Sequence, residues 1–534
     1  MKWFVKKIFK WSLLLAILFV GGIWVYLALT AWHVAPLRKW HTFVPQEMTA
    51  SALGTATWQE YVAHESRVFQ EVYDRIIRTL PEYEKTLMNR YHEGAIVYPP
   101  KLAHDWNRSY VLYPEGEIKG AVVLLHGLTD TPYSLRHVAR LYAQNGFVAY
   151  GVRLPGHGTV PAALTDIRWQ DWLAATHLTM RTAAQTVVPD APATVNKPLH
   201  LVGFSKGGAL AVKYVLDTLE DPTLPRVDRV VLLSPMIGIT RFARFVGLAA
   251  IPSYLPAFAN AAWLSVLPEF NPFKYNSFPV NAARQAYLLS SSLQRQIERL
   301  STTEAFATLP PILTFQSVLD YTVSTPAILY YFYAFLPKSG SELVLFDVNR
   351  ASLLGWLLRD SALTSLDRMM PEGPQRYTFS VIKNRAHGSP LTMLITQKIG
   401  ETEVSSIDLD YIYPPTVFSL SHGAIPFPDG DPLYGTAPAP EDAGRYGVNL
   451  GNLVLRGERG ALLVPMDAML RMSSNPFFSF MMDRIAQGIA EPQPSVSAPQ
   501  ALPHVPRDLK MEQKLYKEFF DELDSESGDG TSVF

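Results

Sequence analysis

Residues 199–210 read Leu199-His200-Leu201-Val202-Gly203-Phe204-Ser205-Lys206-Gly207-Gly208-Ala209-Leu210. The apolar run of Leu199, Leu201 and Val202 leads into Gly203-Phe204-Ser205-Lys206-Gly207 and then into Ala209-Leu210-Ala211-Val212, a pattern of strand, abrupt turn and helix. A serine at the tip of such a turn projects its hydroxyl clear of the sheet. Glycines on either side remove the Cβ atoms that would clash where strand and helix nearly touch. Ser205 is therefore the candidate nucleophile.

The chain has 534 residues, enough to bury a large core, and a prior of ~150 residues per domain allows up to about three domains. Hydrophobic residues make up 48% and charged residues 18%, with a formal net charge of -1. No global field therefore selects nucleic acid or acidic substrates, and nucleic-acid binding is set aside. The chain has no cysteine, which excludes disulfides, thiolate zinc sites and a cysteine nucleophile.

Residues 1–10 carry Lys2, Lys6, Lys7 and Lys10, and no charged residue occurs from Trp11 to Trp32. Twenty-two helical residues at ~1.5 Å each span about 33 Å, close to the ~30 Å hydrocarbon thickness. Trp11 and Trp32 mark the two interfaces, and four lysines precede the span against Arg38 and Lys39 just after it. The expectation is a basic cytoplasmic segment over 1–10, an uncleaved transmembrane anchor over 11–32, and the rest of the chain on the non-cytoplasmic side, periplasmic in a bacterium. A cleaved signal peptide fits less well, because its apolar core is usually 7 to 15 residues and no clear Ala-x-Ala site follows.

A helical extension is expected over 33–104. Thr57-Trp58-Gln59-Glu60 reads as a capping box, and Val62, Phe69, Val72, Tyr73 and Ile76 recur at helical spacing to about Leu80, ahead of Pro81. Two strand-like runs follow, Ser109 to Tyr113 and Ala121 to Leu125, punctuated by Pro114, Gly116 and Gly120. The second ends in His126-Gly127-Leu128-Thr129-Asp130-Thr131-Pro132. Backbone amides in such a loop point at the mouth of a site, so the amides of Leu128 and Lys206 are assigned to an oxyanion hole. His126 could be imagined as a metal ligand together with His157, but no carboxylate or third histidine has ligand spacing. No metal and no cofactor are expected. Val148 to Leu154 is a further strand, and Trp169, Asp171 and Trp172 open a helix.

His126-Gly127 after one strand, Arg153-Leu154-Pro155-Gly156-His157-Gly158 after the next, and Gly203 to Gly207 after a third occur in one order. In that order they resemble the α/β-hydrolase superfamily, in its branch of monoacylglycerol lipases, carboxylesterases and serine aminopeptidases. The resemblance covers about residues 105 to 425. It implies an α/β fold with a mostly parallel sheet flanked by helices, core segments over 105–238 and 310–490, and a cap insertion over 239–309. It also implies a serine, acid, histidine order along the chain.

Among the histidines that follow every plausible acid, His504 lies in a proline-rich stretch and is set aside. His422 ends Thr416-Val417-Phe418-Ser419-Leu420-Ser421-His422, which reads as a strand and loop. His387 follows the strand Tyr377 to Ile382, but Lys383-Asn384-Arg385 intervene. His422 is preferred, with His387 as runner-up. For the acid, the β-rich run from Pro310 to Leu319 delivers Asp320 just past its end. Asp347, after Leu343-Val344-Leu345-Phe346, is the runner-up. The long gap from Asp320 to His422 implies an insertion of strands and helix between them.

The cap segment carries Phe242, Phe245, Tyr254, Leu255, Phe258, Trp263, Leu264, Leu267, Phe270 and Phe273. Such an apolar wall could bury acyl methylenes at ~0.8 kcal/mol each, or simply pack the cap onto the core. Leu453 to Leu463 and a helix around Pro476 to Ile489 are expected to complete the core, with a proline-rich linker and acidic tail over 491–534. The expected activity is hydrolysis of carboxylic esters, of lipid or acylglycerol type, by a membrane-anchored serine enzyme through an acyl-enzyme. Two rivals stand beside it. One is an aminopeptidase, which would need an acidic group for the substrate's amine and has Glu269 as its obvious carboxylate. The other is a non-catalytic membrane protein that uses the fold as an interaction surface.

Overall fold

The computed structural model describes residues 10–11, 21–22, 36–187, 197–238, 256–353, 355–442, 444–452 and 473–491. Except for Trp11, Gly21 and Gly22, the expected span from Trp11 to Trp32 lies outside the described residues. So do the first part of the expected cap (239–255), the run from Leu453 to Leu463, and the tail beyond Glu491 with His504. Among the described residues no helix is long and apolar enough to cross a membrane.

In chain order the strands are β1 (Tyr110–Leu112), β2 (Gly120–Leu125), β3 (Phe147–Val152), β4 (Leu199–Phe204), β5 (Arg229–Leu233), β6 (Trp263–Ser265), β7 (Phe278–Pro279), β8 (Ile312–Ser317), β9 (Glu342–Phe346), β10 (Thr378–Asn384), β11 (Leu391–Gln397) and β12 (Val404–Ile412). Ten of them form one sheet in the order β1-β3-β2-β4-β5-β8-β9-β10-β11-β12, while β6 and β7 pair separately within the segment expected to form the cap. From β3 to β10 every pairing is parallel. At the two ends, β1 runs antiparallel to β3, and β11 and β12 add antiparallel strands beyond β10.

This topology follows from the sequence of each strand. Parallel strands are covered on both faces and so are mostly apolar, as the fully buried β2, β4, β5 and β9 are apart from His200, Arg229 and Glu342. Strand β12 is exposed along most of its length and carries Asp408 and Asp410, the charges that blunt an open sheet edge.

The described helices of nine or more residues are α1 (Trp58–Arg75), α2 (Arg136–Gln144), α3 (Trp169–Val187), α4 (Lys206–Glu220), α5 (Val280–Leu300) and α6 (Phe478–Ala490). Alternate strand residues divide between two cores. Val123, Leu125, Leu201 and Leu232 pack with Trp172 of α3, Leu210 of α4 and Leu293 of α5. Val122, Leu124, Val202 and Leu233 pack on the opposite face with Val138 of α2 and Met481 of α6. The period-2 alternation of a strand thus builds a three-layer sandwich.

Helix α1 starts at the expected capping box: the Thr57 hydroxyl accepts from the Glu60 amide at 3.2 Å, and the Glu60 carboxylate accepts from the Thr57 amide at 2.8 Å. The α-helix ends at Arg75 and not near Leu80, because a 3-10 turn over Ile77–Thr79 takes over ahead of Pro81. Its buried stripe is Tyr61, Glu65, Val68 and Val72, so a carboxylate sits where the apolar spacing alone would place none.

Strands β9 to β12 and short helices at Thr325–Tyr331 and Asp360–Leu363 fill the gap between Asp320 and His422, an insertion of the kind the spacing implies. The run from Thr416 to Leu420, read as a strand from its β-rich composition, forms none. Pro414 and Pro415 precede it and have no N–H for a ladder. Asn349 pins it instead: its side-chain amide donates to the carbonyls of Pro414 and Val417 at 2.9 and 2.8 Å, and its backbone amide donates to Phe418 at 2.8 Å. His422 follows this pinned loop.

Candidate active site

Ser205 sits between the end of β4 and the start of α4 with φ 55° and ψ −118°. A non-glycine residue at positive φ is strained by ~1–3 kcal/mol and persists where its surroundings over-determine it. Here they do. The Ser205 amide donates to Leu233 at 2.9 Å, and its carbonyl accepts from the Gly208 and Met236 amides at 2.9 and 3.0 Å. A Cβ on Gly207 would lie 1.9 Å from the Leu125 carbonyl oxygen, and one on Gly203 would lie 2.4 Å from that of Gly207. No side chain fits at either position, which is why the turn is written Gly-x-Ser-x-Gly.

Asp320 follows β8, and His422 lies in the loop beyond β12. The structure brings them together: His422 Nδ1 lies 2.8 Å from Asp320 Oδ2. The same carboxylate oxygen accepts from Gln316 Nε2 at 3.0 Å, and Oδ1 accepts from the amides of Thr322 and Val323 at 2.8 and 3.0 Å. Burial works to raise the Asp320 pKa, but the facing His422 and the two amides outweigh it and hold it below the ordinary carboxylate value. Because a carboxylate only accepts, His422 carries its proton on Nδ1 and keeps Nε2 as a base. The imidazole stacks on Phe204, the residue before Ser205, with ring centroids 5.4 Å apart. Gln316 and Phe204 were not singled out by sequence reasoning. A glutamine directly after the β-rich Ile312–Phe315 run, four residues before the acid, was the available signal.

The runners-up sit elsewhere. Asp347 is buried at the end of β9, where its carboxylate faces Arg350 at 3.4 Å and burial pushes its pKa up. His387 lies on the exposed turn between β10 and β11. Leu128 lies in the loop after β2, and that loop abuts the elbow: a Cβ on Gly127 would come within 3.3 Å of the Ser205 Cβ. Lys206 is the first residue of α4, so its amide is among the free donors at a helix N-terminus.

Glu269 does not offer a carboxylate to a substrate. It is buried, and its oxygens accept from the amides of Asn276 and Ser277 at 3.0 and 2.8 Å, closing the turn that leads to β7. Among the described residues no cluster of His, Asp and Glu could hold a metal ion.

Buried histidines give this fold a measurable acid sensitivity. Burial, with Arg229 nearby, holds His200 of β4 at about 3, so the folded state refuses a proton that the unfolded chain takes up below ~6.5. Stability from this group is complete above pH ~6.5 and declines by about 1.4 kcal/mol per unit as pH falls toward 3. Wild type is therefore expected to lose stability relative to His200→Phe between pH 6.5 and 4.5 in paired thermal melts. The comparison cancels the opposite drift of buried carboxyls such as Asp130 and Asp347, whose raised pKa values favour the fold as pH falls. A stability difference that stays constant with pH would contradict it.

Residues 116–320 match the family model of serine aminopeptidases, S33. A thermostable monoacylglycerol lipase from Bacillus sp. (strain H-257) is 24% identical over 206 residues, which are 38% of this chain and 71% of that protein. Among solved structures, a metagenome-derived lipolytic enzyme aligns at 21% identity over 46% of this chain and 88% of its own, with a TM-score of 0.35. A soluble variant of monoglyceride lipase from Saccharomyces cerevisiae aligns at 13% identity over 44% and 81%, also with a TM-score of 0.35. The sheet order and the strained serine turn are those of an α/β-hydrolase fold, and the family match places the likeness within that superfamily. Within it, the chain resembles the branch of monoacylglycerol lipases, carboxylesterases and serine aminopeptidases.

Proposed function

We propose that this protein is a membrane-anchored serine hydrolase that cleaves carboxylic esters of acylglycerol type through an acyl-enzyme. The observation that carries the reading is the 2.8 Å hydrogen bond from His422 to the buried Asp320, with the imidazole stacked beside the elbow of Ser205. Ser205 Oγ attacks the ester carbonyl as His422 Nε2 takes its proton, and Asp320 stabilises the imidazolium. The Leu128 and Lys206 amides receive the developing oxyanion. His422 then protonates the leaving alcohol and activates the water that releases the acid.

An ester fits better than a peptide, because the carboxylate an aminopeptidase would turn toward a substrate amine, Glu269, is already engaged by two backbone amides. The likeness to a monoacylglycerol lipase and the apolar character of the cap sequence favour an acyl chain in the substrate. Anchoring rests on the uncharged stretch from Trp11 to Trp32 behind four lysines.

One experiment addresses all three parts. Membranes carrying the full chain are washed at alkaline pH, treated with a fluorophosphonate probe, and assayed with p-nitrophenyl acyl esters and amino-acid anilides. A labelled band that stays in the pellet, is lost in Ser205→Ala and accompanies ester turnover is expected. No label overturns the serine mechanism, release by the wash overturns the anchor, and faster anilide turnover overturns the ester.

A further inference from the structure

Beneath the serine turn lies a buried polar chain that the reaction steps above leave unused. The Lys206 side chain is fully buried, with Nζ 4.3 Å above the Trp172 ring and 2.9 Å from His157 Nε2. His157 Nδ1 lies 3.0 and 3.2 Å from the carbonyls of Pro155 and Leu154. Carbonyls only accept, so Nδ1 carries the proton and Nε2 is the acceptor for Lys206. The Leu154 amide in turn donates to His126 Nε2 at 3.0 Å, which leaves the His126 proton on Nδ1, donating to the Gly127 carbonyl at 2.9 Å. Both imidazoles are buried and neutral, and both nitrogens of each are engaged, so neither ring has a lone pair left for a metal.

The two ends of this chain are the two places where oxyanion donors are assigned. The Gly127 carbonyl and the Leu128 N–H belong to one peptide unit. In a trans peptide these groups point in opposite directions, so holding the oxygen toward His126 turns the Leu128 N–H to the other side. At the far end, the Lys206 side chain ties down the residue whose own amide is the second donor.

We propose that the relay Lys206–His157–Leu154–His126–Gly127 is a positioning device that sets the two oxyanion-hole amides relative to each other, with Lys206, His157 and His126 as positioning residues. The inference rests on the reading of Ser205 as the nucleophile. It accounts for a lysine buried with a single side-chain hydrogen-bond acceptor among the described residues, and for the histidines of both loop motifs, in one arrangement.

The test uses the full chain in detergent with p-nitrophenyl butyrate and an alkyl trifluoromethyl ketone, whose adduct on the serine bears an oxyanion. Lys206→Met keeps the backbone amide and the side-chain length but cannot donate. It is expected to lower kcat by roughly 10²-fold, the scale set by ångström-level misplacement, with KM within about twofold. The ketone should bind more weakly by about the same factor as kcat falls. His157→Gln, whose amide can both accept and donate, should retain most activity where His157→Leu does not. The double variant Lys206→Met/His126→Phe should lose less than the product of the single losses, because both break one chain.

Wild-type kcat in Lys206→Met overturns the proposal, as does equal activity in His157→Gln and His157→Leu or unchanged ketone affinity in the impaired variants. If Lys206→Met fails to fold, the His157 pair decides. Fluorophosphonate labelling separates the two layers. An unlabelled wild type removes the serine reading and the relay with it, whereas variants labelled at the wild-type rate remove the relay alone.

Discussion

His422→Ala is expected to lower kcat/KM for a p-nitrophenyl ester by about 10⁴-fold, while His387→Ala stays within about twofold of wild type. His422 is joined to a buried carboxylate at 2.8 Å and stacked on the residue before Ser205, whereas His387 stands on the exposed turn between β10 and β11. Asp320→Asn should fall nearly as far as His422→Ala. An asparagine can present its amide N–H to Nδ1, and that stabilises the tautomer with the proton on Nε2, the atom that must act as base. Asp347→Asn should leave kcat/KM within a few-fold, since its carboxylate faces Arg350 and not a histidine. Steady-state kinetics on the four variants, with circular dichroism to establish folding, decides the matter. A larger loss in His387→Ala or Asp347→Asn than in His422→Ala or Asp320→Asn would reassign the base or the acid.

Ser205 was legible because everything that defines it is local. Two glycines within two residues of it, an apolar run before and a helical run after, suffice to write a strained turn. Asp320 and His422 were legible in a weaker sense, through their order along the chain and the strand that ends before the acid. Their pairing was not, because 102 positions and four strands of the main sheet and its extension separate them. The Thr416–Leu420 run misled for a physical reason: β-propensity measures fit to a pleated, half-buried surface, and this run has no strand to lie beside once two prolines and Asn349 hold it. Glu269 misled in the opposite direction. A carboxylate in a sequence reads as surface or chemistry until the structure shows the donors that make its burial tolerable.

The same lesson yields the largest expected stability effect. Arg153 opens the Arg-Leu-Pro-Gly-His-Gly motif and is fully buried. Its guanidinium donates to both oxygens of Glu47 at 2.8 and 2.9 Å, to Glu65 Oε2 at 3.1 Å and to the His157 carbonyl at 2.9 Å. Glu65 also accepts from the Ser109 amide and hydroxyl at 3.0 and 2.7 Å, and the Tyr61 hydroxyl donates to the Arg153 carbonyl. The segment before the sheet is thereby fastened to the loop that carries His157.

Arg153→Met leaves two carboxylates together in a site built for a cation. Removing one partner of a buried ionic cluster costs about 3–5 kcal/mol, most of it the penalty of the charge left behind. Urea unfolding of the detergent-solubilised chain should show a loss of that size. Adding Glu47→Leu and Glu65→Leu to Arg153→Met should recover part of it, because the orphaned carboxylates are then gone. Recovery should stop short of wild type, since Ser109 loses both of its Glu65 contacts. A loss below about 1 kcal/mol in Arg153→Met would mean that water reaches the cluster and screens it. The buried side chains of Arg153 and Glu65 argue for the larger value, and with it for a motif loop whose geometry depends on residues more than 80 positions upstream.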